Sequence, residues 1–436
     1  MVPEMVEAYA RWWGVPVVCE NTADCWVLRG AHNILRIVRQ DSALIPQQIS
    51  MVPVLCGEQQ CSLPAPVFPV PALGDWNAIA QGDLLTFLAG QLWRAEELQE
   101  SLRENARIGE GAGFLGDRYG FFDRPVVDLW MRAIFEYLQN NRLDVPQGWH
   151  GQAPRFWMSF DIDCLRKWKR LGVVKHFAKL PWALLRGQVK PWAHLAHEAM
   201  RSHFPHLDPW YTLPKMQAAL QAFPGLRATF FWLGYHRDHK ARRYDVRHPA
   251  YARWLSEFAK AGHQNGLHGS PLHATHLAAL TLEKKRLEAL SKQAITLHRQ
   301  HYLRIEPGTT FRFLERMGIR FDSTMAFNNR TGFRCGSCIP LPWWDIREAR
   351  MMNLVELPLC VGDWTLHDPE NFDATKSLPL VQQMADWAKL AGGILSIDFH
   401  ELYFAADYPG HADFFTQMIA TLQQRGFKSW VPEESL

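Results

Sequence analysis

The sequence predicts an α/β protein, with a parallel sheet or barrel over residues 149–436 preceded by a smaller mixed α/β unit over residues 1–148. Two observations carry this. Beyond Pro154, short apolar runs alternate with segments of helical spacing, which is the rhythm of βα units. Just ahead of that alternation, Val145-Pro146-Gln147-Gly148-Trp149-His150-Gly151 has the composition of a link between domains. A chain of 436 residues, 47% hydrophobic, is long enough to bury a core in each unit.

The first unit contains a β-like patch at Trp26–Val38, a stretch rich in proline (Pro64, Pro66, Pro69, Pro71), and helical spacing over Leu84–Arg103 and Val126–Leu138. In the second unit Arg155–Phe160 reads as a strand and Lys215–Ala222 as a helix that ends before Pro224-Gly225. Arg227–Leu233 reads as a buried strand, Pro249–Ala261 as an amphipathic helix, and Asn265–Leu267 as a short strand. A long helix is expected over Leu282–Gln300, then a strand at Tyr302–Arg304 and a helix at Thr309–Met317 closed by Gly318. Ile394–Phe399 is expected as a strand, and Ala412–Arg425 as a last helix closed by Gly426.

Bulk properties exclude several classes. A net charge of +3 is too small to imply nucleic acid. The first ten residues read as no signal peptide and no apolar run approaches the roughly eighteen residues of a membrane span, so a cytoplasmic protein is expected. Eight cysteines in a chain this long do not suggest a disulfide scaffold. Cys335-Gly336-Ser337-Cys338 has CxxC spacing but no second pair, and reads as reduced thiols that bind no metal. The segment Arg166–Pro191 holds eight Lys/Arg and no acid. It reads as a solvated, partly helical excursion, with an anionic glycan or a membrane surface as the functional alternative. His194, His197, His203 and His206 are spaced like metal ligands, yet no acid pattern completes a site, and surface or packing roles are expected.

Phe156-Trp157-Met158-Ser159-Phe160-Asp161-Ile162-Asp163 is the most informative stretch. On a strand, carboxylates at i and i+2 point to one face, and strand ends are where α/β folds place chemistry. One acid can bind a metal while the other handles a proton. About a hundred residues later, Gly262-His263-Gln264-Asn265-Gly266-Leu267-His268-Gly269-Ser270-Pro271-Leu272-His273 supplies imidazoles on a Gly-rich turn.

These residues resemble the polysaccharide deacetylase (NodB-homology, carbohydrate esterase family four) superfamily, in the branch with an extra N-terminal domain. The resemblance runs from Arg155 to Val431. Ser159–Asp163 is similar to the first motif, Arg227–Gly234 to the second core strand, Gly262–His273 to the histidine motif and His301–Arg304 to the arginine motif. Gly332–Cys338 with Pro340, Pro342 and Asp345 resembles a signature of the branch, and Gly392–His400 with Tyr408-Pro409-Gly410 the final histidine motif. The resemblance implies a distorted (β/α)₇-type barrel that removes an N-acyl group, usually acetyl, from an amino sugar in surface-polysaccharide metabolism.

It also implies roles. Asp161 is the expected general base, held ionised by Arg304, and His400 the expected general acid, with Asp398 available to orient it. Asp163, His268 and His273 are the expected ligands of a divalent cation, most readily Zn²⁺, with His276 as the fallback for His273. Trp343, Trp344, Asp345 and Arg334 are the expected substrate contacts. An N-acetylated saccharide is the expected partner, with peripheral association with a membrane or with polysaccharide-synthesis machinery as a further expectation. Two departures stand out. His268 and His273 are i, i+5 where the family has i, i+4, and an ungapped reading puts Pro307, which lacks an N–H, at the oxyanion donor. An allantoinase-like cyclic-amide hydrolase and a degenerate homologue that binds glycan or a partner protein are the alternatives.

Overall fold

The computed structural model describes residues 1–39, 50–56, 58–66, 75–79, 83–95, 114–139, 153–167, 174, 177–201, 204–234, 244–366 and 372–432. The expected link over 145–151 lies outside them.

The second part of the chain is built on a 10-stranded sheet. Its strands lie in the order Leu341–Asp345, Arg350–Glu356, Phe321–Asp322, Leu297–Gln300, Gln264–Gly269, Ala228–Leu233, Arg155–Ile162, Ile394–His400 and Val361–Gly362, and Lys428–Ser429 also pairs with the start of Arg155–Ile162. Every pairing is parallel except that of the outer strand Leu341–Asp345 with Arg350–Glu356. Helices such as Leu213–Gln221, Pro249–Lys260, Leu277–Ser291, Pro307–Arg316 and Ala374–Ala391 connect the strands. This is the parallel α/β architecture that the alternation predicts.

The strands form where the chain can be covered on both faces. All eight residues of Arg155–Ile162 and all six of Ala228–Leu233 are buried, so these strands read as continuous apolar runs rather than alternating ones. Phe160 stacks on Phe230, and Phe230 on Phe258 of helix Pro249–Lys260, with ring centroids 5.2 and 3.8 Å apart. That aromatic stack ties helix to sheet. Helix starts and stops follow local chemistry: Asp373 accepts a hydrogen bond from Thr375 N at 3.0 Å, and Gly392 closes the same helix at φ 68°.

One element differs from expectation in a way that matters below. The helix expected over Leu282–Gln300 spans Leu277–Ser291 and stops at Lys292, which takes φ 59° without being glycine. Residues Leu297–Gln300 form a strand instead, and His301–Leu303 a tight 3₁₀ turn where a strand was expected.

In residues 1–139 a three-stranded antiparallel sheet (Val18–Asn21, Cys25–Arg29, Ile34–Val38) and a hairpin (Ser50–Cys56, Gln59–Ala65) accompany helices Val2–Trp13, Leu84–Leu92 and Val126–Gln139. Their buried side chains are continuous with those of the parallel sheet. The Cys335–Cys338 turn packs on helix Val126–Gln139. Val127 N donates to Gly336 O and Cys338 N to Asp128 Oδ2, each at 2.8 Å. Gly336 sits at φ 62°, and a Cβ there would lie 2.9 Å from Val127 Cγ2, so only glycine fits the joint. Both cysteines are buried.

Candidate active site and metal centre

Register builds the site. Asp161 lies opposite His400 on one neighbouring strand and Phe231 on the other, while His268 lies opposite Arg299. The C-terminal ends of adjacent parallel strands thus bring an acid, two histidines and an arginine to one rim of the sheet.

Asp161 is held first by Arg299, whose Nη1 donates to Asp161 Oδ1 at 2.9 Å and also to Asp398 Oδ1. Arg299 is fully buried, its guanidinium 4.5 Å from the centre of the Phe231 ring, and its Nε donates to Ser323 O at 3.1 Å. Burial works against a charge on Asp161, but Arg299, then His268 and His400, hold its carboxyl below the ordinary range. The second acid behaves differently: burial, then the charge of Asp161, pushes Asp398 up to about 7. One carboxylate stays ionised while its neighbour takes up a proton readily.

Asp163, His268 and His301 present atoms that all lie within 4.8 Å of one another. His301 Nε2 is 3.0 Å from Asp163 Oδ2, and His268 Nε2 is 3.3 Å from Asp163 Oδ1. His268 Nδ1 donates to the carbonyl of Arg299 at 2.9 Å, which turns Nε2 toward the acids. Asp163 Oδ1 and His268 Nε2 are buried without an aligned hydrogen bond. Leaving such atoms unsatisfied is costly, and a cation between them would satisfy both. One carboxylate oxygen and two imidazole nitrogens suit zinc with positions left open. These residues therefore fit a divalent cation.

His400 completes the rim. Its Nδ1 donates to Asp363 Oδ1 at 2.9 Å, its backbone N–H to Asp363 Oδ2, and its Nε2 lies 3.7 Å from Asp163 Oδ2. Burial opposes a proton on this ring, yet Asp363, then Asp398 and Asp163, hold its pKa well above the ordinary value. Glu401, pushed up to about 8 by burial and the charge of Asp163, accepts hydrogen bonds from the backbone N–H groups of Asp163 and Cys164 and fixes that turn.

The structure therefore brings together Asp161, Asp163, His268 and His400 and places the other expected residues elsewhere. Arg299, not Arg304, pairs with Asp161; Arg304 is exposed beyond the 3₁₀ turn. His301, not His273, stands with Asp163 and His268. His273 Nδ1 bonds the buried carboxylate of Glu283 on the following helix, and His276 is exposed at that helix's N-terminus. The fifth residue of spacing carries His273 past the rim, into the turn before that helix, where it faces Glu283.

The expected substrate contacts are packed away. Trp343 rests on Phe311, Trp344 on Trp93, and Asp345 accepts from Arg312 Nε at 2.7 Å on the outer antiparallel strand. Arg334 is fully buried and donates to Ala326 O at 2.6 Å. His194, His197 and His206 are exposed, and His203 lies outside the described residues. Pro307 opens helix Pro307–Arg316, well past Arg299, so it does not occupy the step directly after the buried arginine. That step is Gln300-His301-Tyr302, each residue carrying an N–H, with Tyr302 held at φ 58° beside the site.

No protein-family model matches the chain, and no curated protein matches its sequence. Solved structures do resemble it. A protein assigned as a polysaccharide deacetylase from Mycobacterium smegmatis matches with a TM-score of 0.41 and 19% identity over 64% of this chain and 87% of its own. A polysaccharide deacetylase from Bacillus cereus matches with a TM-score of 0.35 and 10% identity over 65% and 93%. An allantoinase matches with a TM-score of 0.38 and 14% identity over 51% and 70%.

Proposed function

We propose that this chain is a metal-dependent hydrolase that removes an N-acyl group, in the first instance acetyl, from an amino sugar. The observation that carries the reading is the convergence of Asp161, paired with Arg299, and His400, paired with Asp363, beside the Asp163–His268–His301 cluster.

Asp163, His268 and His301 would hold a divalent cation, which when bound supplies a Lewis acid for the scissile carbonyl. Asp161, ionised beside Arg299, takes a proton from the attacking water as its oxygen bonds to the carbonyl carbon. His400, kept charged and oriented by Asp363, gives its proton to the departing nitrogen as the C–N bond breaks. The proton taken by Asp161 balances the one given by His400, and the second proton of the water passes from the new carboxylic acid to the amine, so the products are a carboxylate and an ammonium group. Surface-glycan metabolism as the setting rests on the motif resemblance alone.

The test is metal analysis of the purified chain beside a deacetylation assay on N-acetylglucosamine oligomers. Asp161→Asn should lower turnover by about 10²–10⁴-fold with metal retained, and Asp163→Asn should lose both. Near-native turnover in either variant rejects the assignment. Stoichiometric glycan binding without metal or turnover would make the chain a binding protein instead.

A further inference from the structure

We propose that the helix pair Leu180–Leu185 and Val189–Arg201 seats this chain on an anionic bilayer surface. The observation is an inverted pair of helices. On an ordinary surface helix large apolar side chains face the core and charged ones face water. Here, among the described side chains, Ala183, Ala196 and Ala199 are the buried ones, while Leu185 is 86% exposed, Leu184 58%, Met200 55% and Trp182 51%. Apolar side chains of this size exposed together on one short excursion mark a surface that is covered by something else.

Charge says what covers it. Lys179, Arg186 and Lys190 accompany these side chains, the run Arg166–Pro191 contains no acid, and Glu198 is the one acid of residues 177–201. The Arg186 guanidinium lies 3.9 Å from the centre of the Trp182 ring, a cation–aromatic pair suited to the headgroup level of a membrane. A second copy would bring the same basic surface face to face and repel it, whereas anionic lipid complements both the charge and the apolar side chains. Among the described residues no helix is long and apolar enough to cross a membrane, so the pair lies on the surface.

The position has a functional sense. The excursion leaves the chain just after Asp163, and its ends are pinned together because Lys167 N and Trp210 N both donate to Asp208 Oδ1 at 2.9 Å. A chain seated by this element reaches saccharide carried at a lipid surface.

The experiment is co-sedimentation of the full chain with phosphatidylcholine vesicles and with phosphatidylcholine–phosphatidylglycerol vesicles, with turnover playing no part in the readout. The chain should pellet with the anionic vesicles, far less with the neutral ones, and less at high salt. Leu184→Glu combined with Leu185→Glu should weaken that partition by roughly tenfold or more, and Trp182→Ala should weaken it to a lesser degree. Leu282→Glu, on an exposed site of another helix, should leave it unchanged. Failure to pellet with either vesicle, equal pelleting with both, or binding indifferent to the paired substitution overturns the proposal. So does a concentration-dependent dimer in light scattering that the paired substitution dissolves without any lipid binding.

Discussion

Strand Leu297–Gln300 feeds two buried polar clusters of opposite character. Arg299 reaches Asp161 and Asp398 at the rim of the sheet. Its neighbours His298 and Gln300 point the other way, as alternation along a strand requires. There His298 Nδ1 bonds Asp322 Oδ1 at 2.5 Å, His298 Nε2 bonds Gln300 Oε1 at 3.1 Å, and Gln300 Nε2 donates to Ser270 O at 2.7 Å. Both nitrogens of His298 are used. In the rim cluster Asp163 Oδ1 and His268 Nε2 are left with no aligned partner. A closed network of this kind rigidifies a core, and an open one is poised to take a ligand. Residue type does not distinguish them, since each contains histidine and carboxylate; saturation does.

The comparison can be broken in four ways. The largest effect is expected from Arg299→Met, which strands the Asp161 carboxylate: about 3–5 kcal/mol of stability should disappear in denaturant unfolding, together with all turnover. Next comes His301→Ala against His273→Ala. Equilibrium dialysis should show metal affinity falling by more than about 100-fold in the first, since a ligand is lost. The second should bind metal within a few-fold of the parent, while losing stability because the Glu283 carboxylate, 1% exposed, is deprived of His273. Equal losses in the two would erase the distinction.

In the closed network, His298→Leu should cost about 1–3 kcal/mol by orphaning Asp322 and Gln300, with metal affinity almost unchanged. A collapse of metal binding there would mean that the two clusters are one.

The smallest effect is a pH dependence. Burial opposes a charge on His268, but Asp161 and then Asp163 raise its pKa above the ordinary value. A proton on Nε2 competes with a cation, so affinity should drop as pH falls through that raised value, and calorimetry in buffers of different ionisation heat should register proton release on binding. In chelator-treated protein the sign reverses. The stabilisation from the raised His268 and His400 is complete below about pH 6.5 and is lost as pH rises through their folded values, so melting should be lower at pH 9 than at pH 6.

The acid pair and His400 were legible because each ends or follows an apolar run expected as a buried strand, and His268 because it follows the short strand expected at Asn265–Leu267 in a Gly-rich stretch. Arg299 and His301 were hidden by the absence of a stop signal. The helix before them ends at Lys292, which takes the left-handed conformation usually given to glycine, so helical spacing reads on into Leu297-His298-Arg299-Gln300. The alternation of Ile295, Leu297 and Arg299 with Thr296, His298 and Gln300 was the available sign of a strand. Asp363 had no local sign. It meets His400 because strand Val361–Gly362 pairs with Ile394–His400, a contact between segments far apart in the chain.

Local pattern alone thus determined the α/β class, the strand that carries Asp161 and ends just before Asp163, and the bounds of helices such as Pro249–Lys260 and His411–Gln424 to within a residue or so, since burial on both faces and capping chemistry act over a few residues. Which arginine pairs with Asp161, which histidine stands with Asp163, and which carboxylate bonds His400 were decided only by the tertiary structure. Arg299 and Asp161 stand on strands with two others between them, His301 follows the strand of Arg299, and Asp363 follows the strand beside that of His400, so no pattern local to any one segment pairs them.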